Sequence, residues 1–205
     1  MSTTSRILIA GLSAALATVA APAMAQSKGD LTLAIGAHQV APKSNNGDLV
    51  VGRADVDNDI KPTLMLEYFI ADNLGLEVIA AAPFKHDVSV GGAHIGSVKH
   101  LPPTISLQYH FNSAGKVSPF VGAGVNYTLF FSEDTSGVLG SDVSLKNSWG
   151  LAAHAGLDFK VGEKGAIRVD ARWIDIDSDV SLGGTQLGTV NIDPLVYGAA
   201  YVLKF

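Results

Sequence analysis

The chain has 205 residues, of which 47% are hydrophobic, and its formal net charge is −5 at pH 7. This length suits one domain, and the basic residues form no cluster or stripe, which excludes the electrostatic footprint of a nucleic-acid-binding protein. The sequence contains no cysteine, so disulfide bonds contribute nothing to its stability.

The first 25 residues have the composition of a secretory signal peptide. Arg6 precedes an apolar run over residues 7–20, and Ala23-Met24-Ala25 has the small-x-small pattern of a cleavage site. A membrane anchor needs about 20 apolar residues, whereas Gly, Ser, Thr and Pro interrupt this shorter stretch. We therefore predict an exported protein that is cleaved after Ala25, with residues 26–205 as one domain.

After residue 25, apolar residues recur at every second position, which is the period of a β-strand with one apolar face. In TISLQYHF, residues 104–111, every odd-numbered side chain is apolar or aromatic and every even-numbered one is polar. The same alternation recurs along the chain at residues 31–40, 63–70, 74–81, 104–111, 119–131, 148–161, 166–175 and 195–205. The pattern predicts an all-β protein of eight strands.

The links between the predicted strands alternate in length. Three links are tight turns, namely ADN, NSAGK and GEKG, residues 71–73, 112–116 and 162–165. Four links are long, and they cover residues 41–59, 83–100, 132–144 and 175–193. Short turns at one rim and long loops at the other predict an eight-stranded antiparallel up-and-down barrel.

The polar faces of these strands carry the charges, which include Glu67, Glu77, Asp158, Arg168, Asp170 and Arg172. In a transmembrane barrel these side chains would line the lumen, and the uncharged apolar faces would contact lipid. In a soluble lipocalin-like barrel the same charges would face water and the apolar faces would fill the interior. Periodicity alone permits both arrangements.

The end of the chain favours the transmembrane arrangement. A closed barrel pairs its last strand with its first, so that no edge remains and no polar tail is needed. In that case the lipid-facing row of the last strand is Leu195, Tyr197, Ala199, Tyr201, Leu203 and Phe205. This ending resembles the signal that the outer-membrane assembly machinery recognises. We expect Tyr201, Leu203 and Phe205 to act as that signal, with Phe205 at the periplasmic rim.

Several segments resemble the OmpW family of outer-membrane proteins. They are NLGLEVIAAAPFKH (73–86), VKHLPPTISLQYHF (98–111), PFVGAGVNYTLFF (119–131), SLKNSWG (144–150), WIDIDSDV (173–180) and the end from IDP (192–194) to Phe205. The resemblance covers nearly all of residues 26–205 in order, and it is loose over 44–60 and 182–191. It implies a barrel in the outer membrane of a Gram-negative bacterium, with a narrow, partly apolar lumen. It also implies passage of small hydrophobic molecules, since the family includes alkane-uptake proteins.

Two groups of residues lie at the alternate strand positions whose side chains would point into this lumen. The expected apolar wall is Phe69, Ile79, Phe120, Phe130 and Ile174, and the expected charge network is Glu67, Glu77, Arg168, Asp170, Arg172 and Lys204. An eight-stranded barrel is barely wide enough for its own side chains or one small ligand. We therefore expect an apolar solute to enter through the loops and to leave sideways into the membrane, because the charges obstruct the lumen. Alternatively, the charges only stabilise the barrel.

Three prolines lie where such a sideways exit would need the wall to open. Pro83, Pro102 and Pro103 cannot donate hydrogen bonds to a neighbouring strand. They suit either an opening in the wall or the simple end of a strand.

Metal binding has little support in the sequence. His86, His94 and His100 share one loop, but they match no compact ligand motif. DIDSDV, residues 175–180, begins like a calcium loop with Asp175, Asp177 and Asp179, but Val180 and Gln186 occupy the positions of the required glycine and glutamate. We predict no metal and no cofactor.

Catalysis also has little support. The G-x-S-x-G nucleophile motif is absent. His154 and Asp158 share one strand face, but four residues of strand separate them by about 13 Å. We predict that the protein is not an enzyme. The alternative to a conduit is a structural barrel, or a surface receptor or adhesion protein without transport, whose loops phage, bacteriocins or host surfaces would recognise.

Overall fold

A computed structural model describes residues 26–135 and 143–205, and for residues 132–135 it describes the backbone alone. The predicted signal peptide, residues 1–25, lies outside the described residues. So does part of the third long link, residues 136–142. No helix long and apolar enough to cross a membrane occurs in residues 26–135 or 143–205.

The described residues form fifteen strands, numbered here in chain order. They are β1 (Leu31–Ala41), β2 (Asp48–Leu49), β3 (Gly52–Val56), β4 (Asp59–Ala71), β5 (Leu74–Ala81), β6 (Phe84–Val90), β7 (Ala93–Leu101), β8 (Thr104–His110), β9 (Val117–Thr135), β10 (Val143–Leu145), β11 (Ser148–Val161), β12 (Gly165–Ile174), β13 (Asp177–Leu182), β14 (Thr185–Asn191) and β15 (Leu195–Lys204).

Eight of these strands close into a barrel. Around the ring their order is β1, β4, β5, β8, β9, β11, β12 and β15, and every adjacent pair is antiparallel. Ile35 on the first strand is the register partner of both Leu64 on β4 and Tyr201 on β15. The last strand therefore pairs with the first, and the predicted eight-stranded antiparallel barrel is confirmed.

The side chains of the barrel strands point alternately outward and inward, as the sequence pattern predicted. Large apolar side chains cover the outside, including Trp149 at 73% exposure and Leu107 at 51%. The polar residues that alternate with them are buried, as on β8, where Thr104 and Gln108 are at most 1% exposed. A soluble barrel would reverse these two faces. The apolar exterior is the surface that a lipid bilayer requires.

The three predicted tight turns join β4 to β5, β8 to β9 and β11 to β12. Asn73 and Gly162 in two of these turns have φ of 65° and 72°. Asn and Gly adopt this left-handed conformation more readily than other residues, so they allow the chain to reverse within a few residues. Short turns mark the periplasmic rim of an outer-membrane barrel.

The long links form strands, whereas the sequence pattern predicted loops. The seven short strands β2, β3, β6, β7, β10, β13 and β14 continue the structure beyond the opposite, extracellular rim, and we call them the extension. The sheet register shifts at Val88/Ser89, Ser97/Lys99 and Val180/Ser181. Each such irregularity moves the side-chain alternation to the other face, which is why the alternation was not recognisable there.

Candidate functional site

A buried ion-pair network centred on Arg168 fills the barrel interior. The guanidinium donates to the Asp158 carboxylate from Nε at 2.8 Å and from Nη2 at 3.0 Å. Nη1 donates to Glu77 at 3.0 Å, and Nη2 lies 3.4 Å from Glu67. Arg168 Cζ also lies 4.4 Å from the centre of the Phe120 ring, a cation–π contact. Three carboxylates and an aromatic face thus compensate for burying this charge.

Arg172 extends the network toward the extracellular side. Its Nη2 donates to Glu77 at 2.7 Å and lies 3.9 Å from Asp170. Glu77 on β5 therefore binds two arginines on β12, and these strands are not neighbours in the barrel. The ion pairs consequently cross the lumen instead of following its wall, and they occupy its cross-section.

Three further polar side chains, His110, Gln108 and His154, belong to the network, although they were not among the residues predicted for it. His110 Nε2 lies 2.9 Å from Glu67, and the Gln108 amide donates to the same carboxylate at 3.0 Å. His154 Nε2 lies 2.8 Å from the Gln108 carbonyl oxygen. These residues share the inward parity of Glu67, so parity alone would have been sufficient to include them.

His38 joins the same layer from β1. One ring nitrogen lies 2.7 Å from the Thr63 hydroxyl and the other 3.0 Å from Asp170. Glycines make room for these large side chains, since a Cβ added at Gly198 would collide with the His38 ring and one at Gly122 with His154. Polar side chains fill the barrel interior at this level, so they leave no open pore there.

Lys204 was expected in the network, but the ion pair that the structure gives it lies elsewhere. Its Nζ binds Asp30 at 2.5 Å, and the two side chains are 18% and 21% exposed. Lys204 is the last residue of β15 and Asp30 immediately precedes β1. This ion pair therefore joins the ends of the first and last strands at the periplasmic rim.

The extension encloses an apolar cavity above the barrel, which we call the upper cavity. Its empty volume is about 680 Å³, part of which is open to solvent. All seven extension strands contribute lining residues, and Phe130 joins them from β9. The lining is aliphatic or aromatic except for Gly96, Ser97, His86 and His100. This composition suits a small apolar ligand.

A second, smaller cavity lies between the upper cavity and the charge network, and we call it the lower cavity. Its empty volume is about 310 Å³. Apolar side chains line most of it, including Ile79, Ile174 and Phe84, and Arg172 borders it on the side of the network. Ile174 and Phe84 also belong to the apolar cluster that includes Phe130 of the upper cavity. Continuous apolar packing therefore joins the two cavities.

The lower cavity reaches the barrel wall where the strand pairing is interrupted. The pairing of β5 with β8 ends at Ile79 and Thr104. Beyond these residues, the two chain segments pair again only as β6 and β7, beginning at Phe84 and His100. The intervening residues, 80–83 and 101–103, contain Pro83, Pro102 and Pro103. Ala81 and Pro102, one from each side of the interruption, line the cavity.

The five residues of the expected apolar wall all face inward, but at different depths. Phe130 lines the upper cavity, and Ile79 and Ile174 line the lower one. Phe69 and Phe120 instead pack against His110, with ring centres 5.4 and 5.3 Å apart. These two phenylalanines belong to the layer of the charge network, and neither lines the upper or the lower cavity.

The expected assembly-signal residues form an outward row at the periplasmic end of the last strand. Tyr201, Leu203 and Phe205 are 46%, 37% and 67% exposed. The Phe205 amide donates to the carbonyl oxygen of Leu31 at 2.9 Å. The terminal residue thus adds one hydrogen bond to the seam that closes the barrel.

The histidines and aspartates considered as metal ligands do not lie together in one site. His86 and His100 line the upper cavity, whereas His94 on the same hairpin is exposed. At the rim, carboxylate oxygens of Asp175, Asp177 and Asp193 lie within 4.8 Å of one another. Exposed acidic groups commonly cluster in this way without an ion.

Comparison with known proteins agrees with this geometry. Residues 27–205 match the OmpW family. The chain belongs to the OmpW family. Outer membrane protein W of Vibrio cholerae serotype O1 is 34% identical over 213 residues, covering 96% of this chain and 98% of that protein. The predicted family resemblance is therefore confirmed.

Two further relatives of this OmpW-family chain come from Pseudomonas aeruginosa. The crystal structure of the outer membrane protein OprG superposes with a TM-score of 0.78 at 32% identity, covering 89% of this chain and 99% of that one. The dibenzothiophene metabolism operon protein PahQ is 29% identical over 168 residues, covering 78% of this chain and 79% of PahQ. The protein is accordingly an outer-membrane β-barrel of a Gram-negative bacterium, and its apolar exterior contacts lipid.

Proposed function

We propose that this barrel is a passive conduit for small hydrophobic molecules, which leave it sideways into the outer membrane. The observation that carries the proposal is the course of the apolar lining. It begins in the upper cavity, continues to the lower cavity, and ends at the interrupted pairing between β5 and β8. Operon names support the same class of solute, since PahQ is named for the metabolism of dibenzothiophene, an apolar aromatic compound.

The charge network supports the sideways exit. An apolar solute that continued down the lumen would have to separate Glu77 from Arg168 and Arg172, at distances of 3.0 and 2.7 Å. Breaking a buried ion pair is costly because it leaves uncompensated charge in a medium of low dielectric constant. The lipid beside the interruption offers the solute an apolar environment without that penalty. The network therefore acts as a plug, and it directs the solute toward the wall.

We assign the protein no catalytic role. The histidine and aspartate that share a face of β11 already have structural partners, since His154 binds Gln108 and Asp158 binds Arg168. We also propose that the outward row of Tyr201, Leu203 and Phe205 is the signal read by the outer-membrane assembly machinery, because it remains exposed and regular to the last residue.

The conduit is tested by uptake of radiolabelled n-decane into cells that produce the protein, cells that lack it, and cells that produce Val98→Trp. Val98 lines the upper cavity and is 9% exposed, so a tryptophan there fills space that the solute needs. The matched control is Val125→Trp, because Val125 faces lipid at 49% exposure.

We expect the protein to accelerate uptake, Val98→Trp to abolish the acceleration, and Val125→Trp to preserve it. Equal uptake by all four strains, with the barrel confirmed in the outer membrane, would transfer the assignment to a structural barrel or to a surface receptor that phage or bacteriocins recognise.

A further inference from the structure

Two buried histidines lie side by side in the lining of the upper cavity. His86 on β6 and His100 on β7 are 2% and 1% exposed, and their ring centres are 4.8 Å apart. The Nε2 atom of each ring finds no hydrogen-bond partner in the part of the chain that the structure describes. Buried polar atoms are normally hydrogen-bonded. The two Nε2 atoms are therefore polar groups in a largely apolar cavity, and no described residue satisfies them.

The hydrogen bond of His86 determines which of its ring nitrogens carries the hydrogen. Nδ1 lies 2.5 Å from the carbonyl oxygen of Asp57. A carbonyl oxygen only accepts hydrogen bonds, so Nδ1 must be the donor, and Nε2 of the neutral ring then presents a lone pair. His86 Nε2 is therefore an acceptor, and among the described residues no donor reaches it.

Both rings are neutral at pH 7, and they lie in the extension, outside the membrane-spanning barrel. Burial lowers the pKa of His86, although the Asp57 carbonyl opposes this shift. Burial, together with the neighbouring His86, lowers the pKa of His100 to about 3. The other charged groups that act on these rings are the carboxylates of Asp59 and Asp57 and the ammonium group of Lys61. Both carboxylates raise the pKa of His86 and Lys61 lowers it, while Asp59 also raises the pKa of His100.

The aromatic neighbours hold His100 beside His86. The His100 ring centre lies 5.7 Å from that of Phe84 and 5.8 Å from that of Phe130, the latter edge-on. With its hydrogen on Nε2, the neutral His100 ring offers a donor next to the acceptor of His86. A hydroxyl group matches this pair, because it donates one hydrogen bond and accepts another. A carbonyl or ether oxygen can only accept, and an alkane does neither.

We propose that the upper cavity binds apolar molecules that carry one hydroxyl group, with the hydroxyl donating to Nε2 of His86 and accepting from Nε2 of His100. This inference rests on the proposed function, since it names the class of solute that the conduit admits best. A charged head group is excluded because the cavity would bury it without a counter-ion.

The test compares binding of 1-decanol and n-decane to the full chain in lipid nanodiscs, with empty nanodiscs subtracted. The variant is His86→Phe, which keeps a ring but removes the acceptor, and the control is His94→Phe, at an exposed position of the same hairpin. We expect His86→Phe to weaken decanol binding about tenfold, which corresponds to one hydrogen bond in a closed site. We expect decane binding to stay unchanged, and His94→Phe to change neither.

Equal effects of His86→Phe on the two ligands, or no effect on either, would overturn the inference and leave the conduit standing. Failure of the unmodified protein to bind either ligand would overturn both proposals. A second measurement avoids any folding defect of the variant. In the unmodified chain, decanol should shift the ¹⁵N resonance of His86 Nε2 and decane should not, and an unchanged resonance with saturating decanol would contradict the proposed hydrogen bond.

Discussion

Replacing Arg168 with methionine removes the centre of the charge network and keeps most of the side-chain volume. Asp158 then loses two hydrogen bonds, at 2.8 and 3.0 Å, and Glu77 loses one at 3.0 Å. Arg172 still holds Glu77, and His110 still contacts Glu67, so Asp158 bears the largest loss. Removing one partner of a buried ion pair costs about 3–5 kcal/mol. We expect Arg168→Met to lower the free energy of unfolding by at least about 3 kcal/mol.

The assay is urea unfolding of the barrel refolded into lipid vesicles, followed by the fluorescence of Trp149 and Trp173. Arg53→Met is the matched control, because Arg53 forms an exposed 3.0 Å ion pair with Asp55 in the extension. Exposed pairs contribute at most about 1 kcal/mol. A loss of 1 kcal/mol or less in Arg168→Met, equal to that in Arg53→Met, would refute the view that the network compensates buried charge.

Three further predictions follow from the lumen, the extension and the last strand. The double variant Arg168→Ala/Arg172→Ala should open a measurable ionic conductance in planar bilayers, whereas the native barrel should not conduct; a closed double variant would show that other side chains form the plug. The extension should lose stability as the pH falls from about 7 toward 3. In the unfolded state His86 and His100 bind protons below a pKa of about 6.5. In the folded state burial lowers the pKa of both, and that of His100 to about 3, so protonation favours the unfolded state. Proteolysis of the β6–β7 hairpin should report this slope, which His100→Phe should reduce and His94→Phe should not; an identical slope in both would contradict it. Deleting Phe205 should reduce assembly into the outer membrane several-fold and change in vitro unfolding by only about 1 kcal/mol, the contribution of one backbone hydrogen bond; equal assembly with and without Phe205 would exclude its role as a signal.

Strand positions and facing directions were predictable from the sequence because a period of two is a local property. Every second residue of TISLQYHF faces lipid, as the alternation predicted, and β15 follows the same rule. Tight turns carry their own signal in residues such as Asn73, which tolerates positive φ. Strand number and barrel topology therefore followed from local patterns together with the alternation of short and long links.

Depth along the barrel axis and contacts across it were not predictable in the same way. Phe120 and Phe130 have the same parity, yet one packs on Arg168 and the other lines the upper cavity. Arg168 meets Glu77 although 91 residues separate them, and only closure of the barrel brings them together. The upper cavity escaped prediction because it is built from short strands whose bulges disrupt the alternation.

The sideways exit is the central claim, and a reversible cross-link tests it most directly. Continuing the β5–β8 register beyond Ile79 and Thr104 makes Ala81 and Pro102 partners across the interruption. Because the native chain has no cysteine, Ala81→Cys/Pro102→Cys introduces a single disulfide that oxidation closes and reduction opens. The matched control is Val78→Cys/Ile105→Cys, which joins an existing lipid-facing pair of the same two strands.

The measurement is n-decane uptake by cells producing each variant, oxidised and then reduced. The account predicts that oxidation lowers uptake by the Ala81→Cys/Pro102→Cys variant to the level of cells without the protein, that reduction restores it, and that the control pair is unaffected. Unchanged uptake with the disulfide between positions 81 and 102 fully formed would contradict a lateral exit at this interruption.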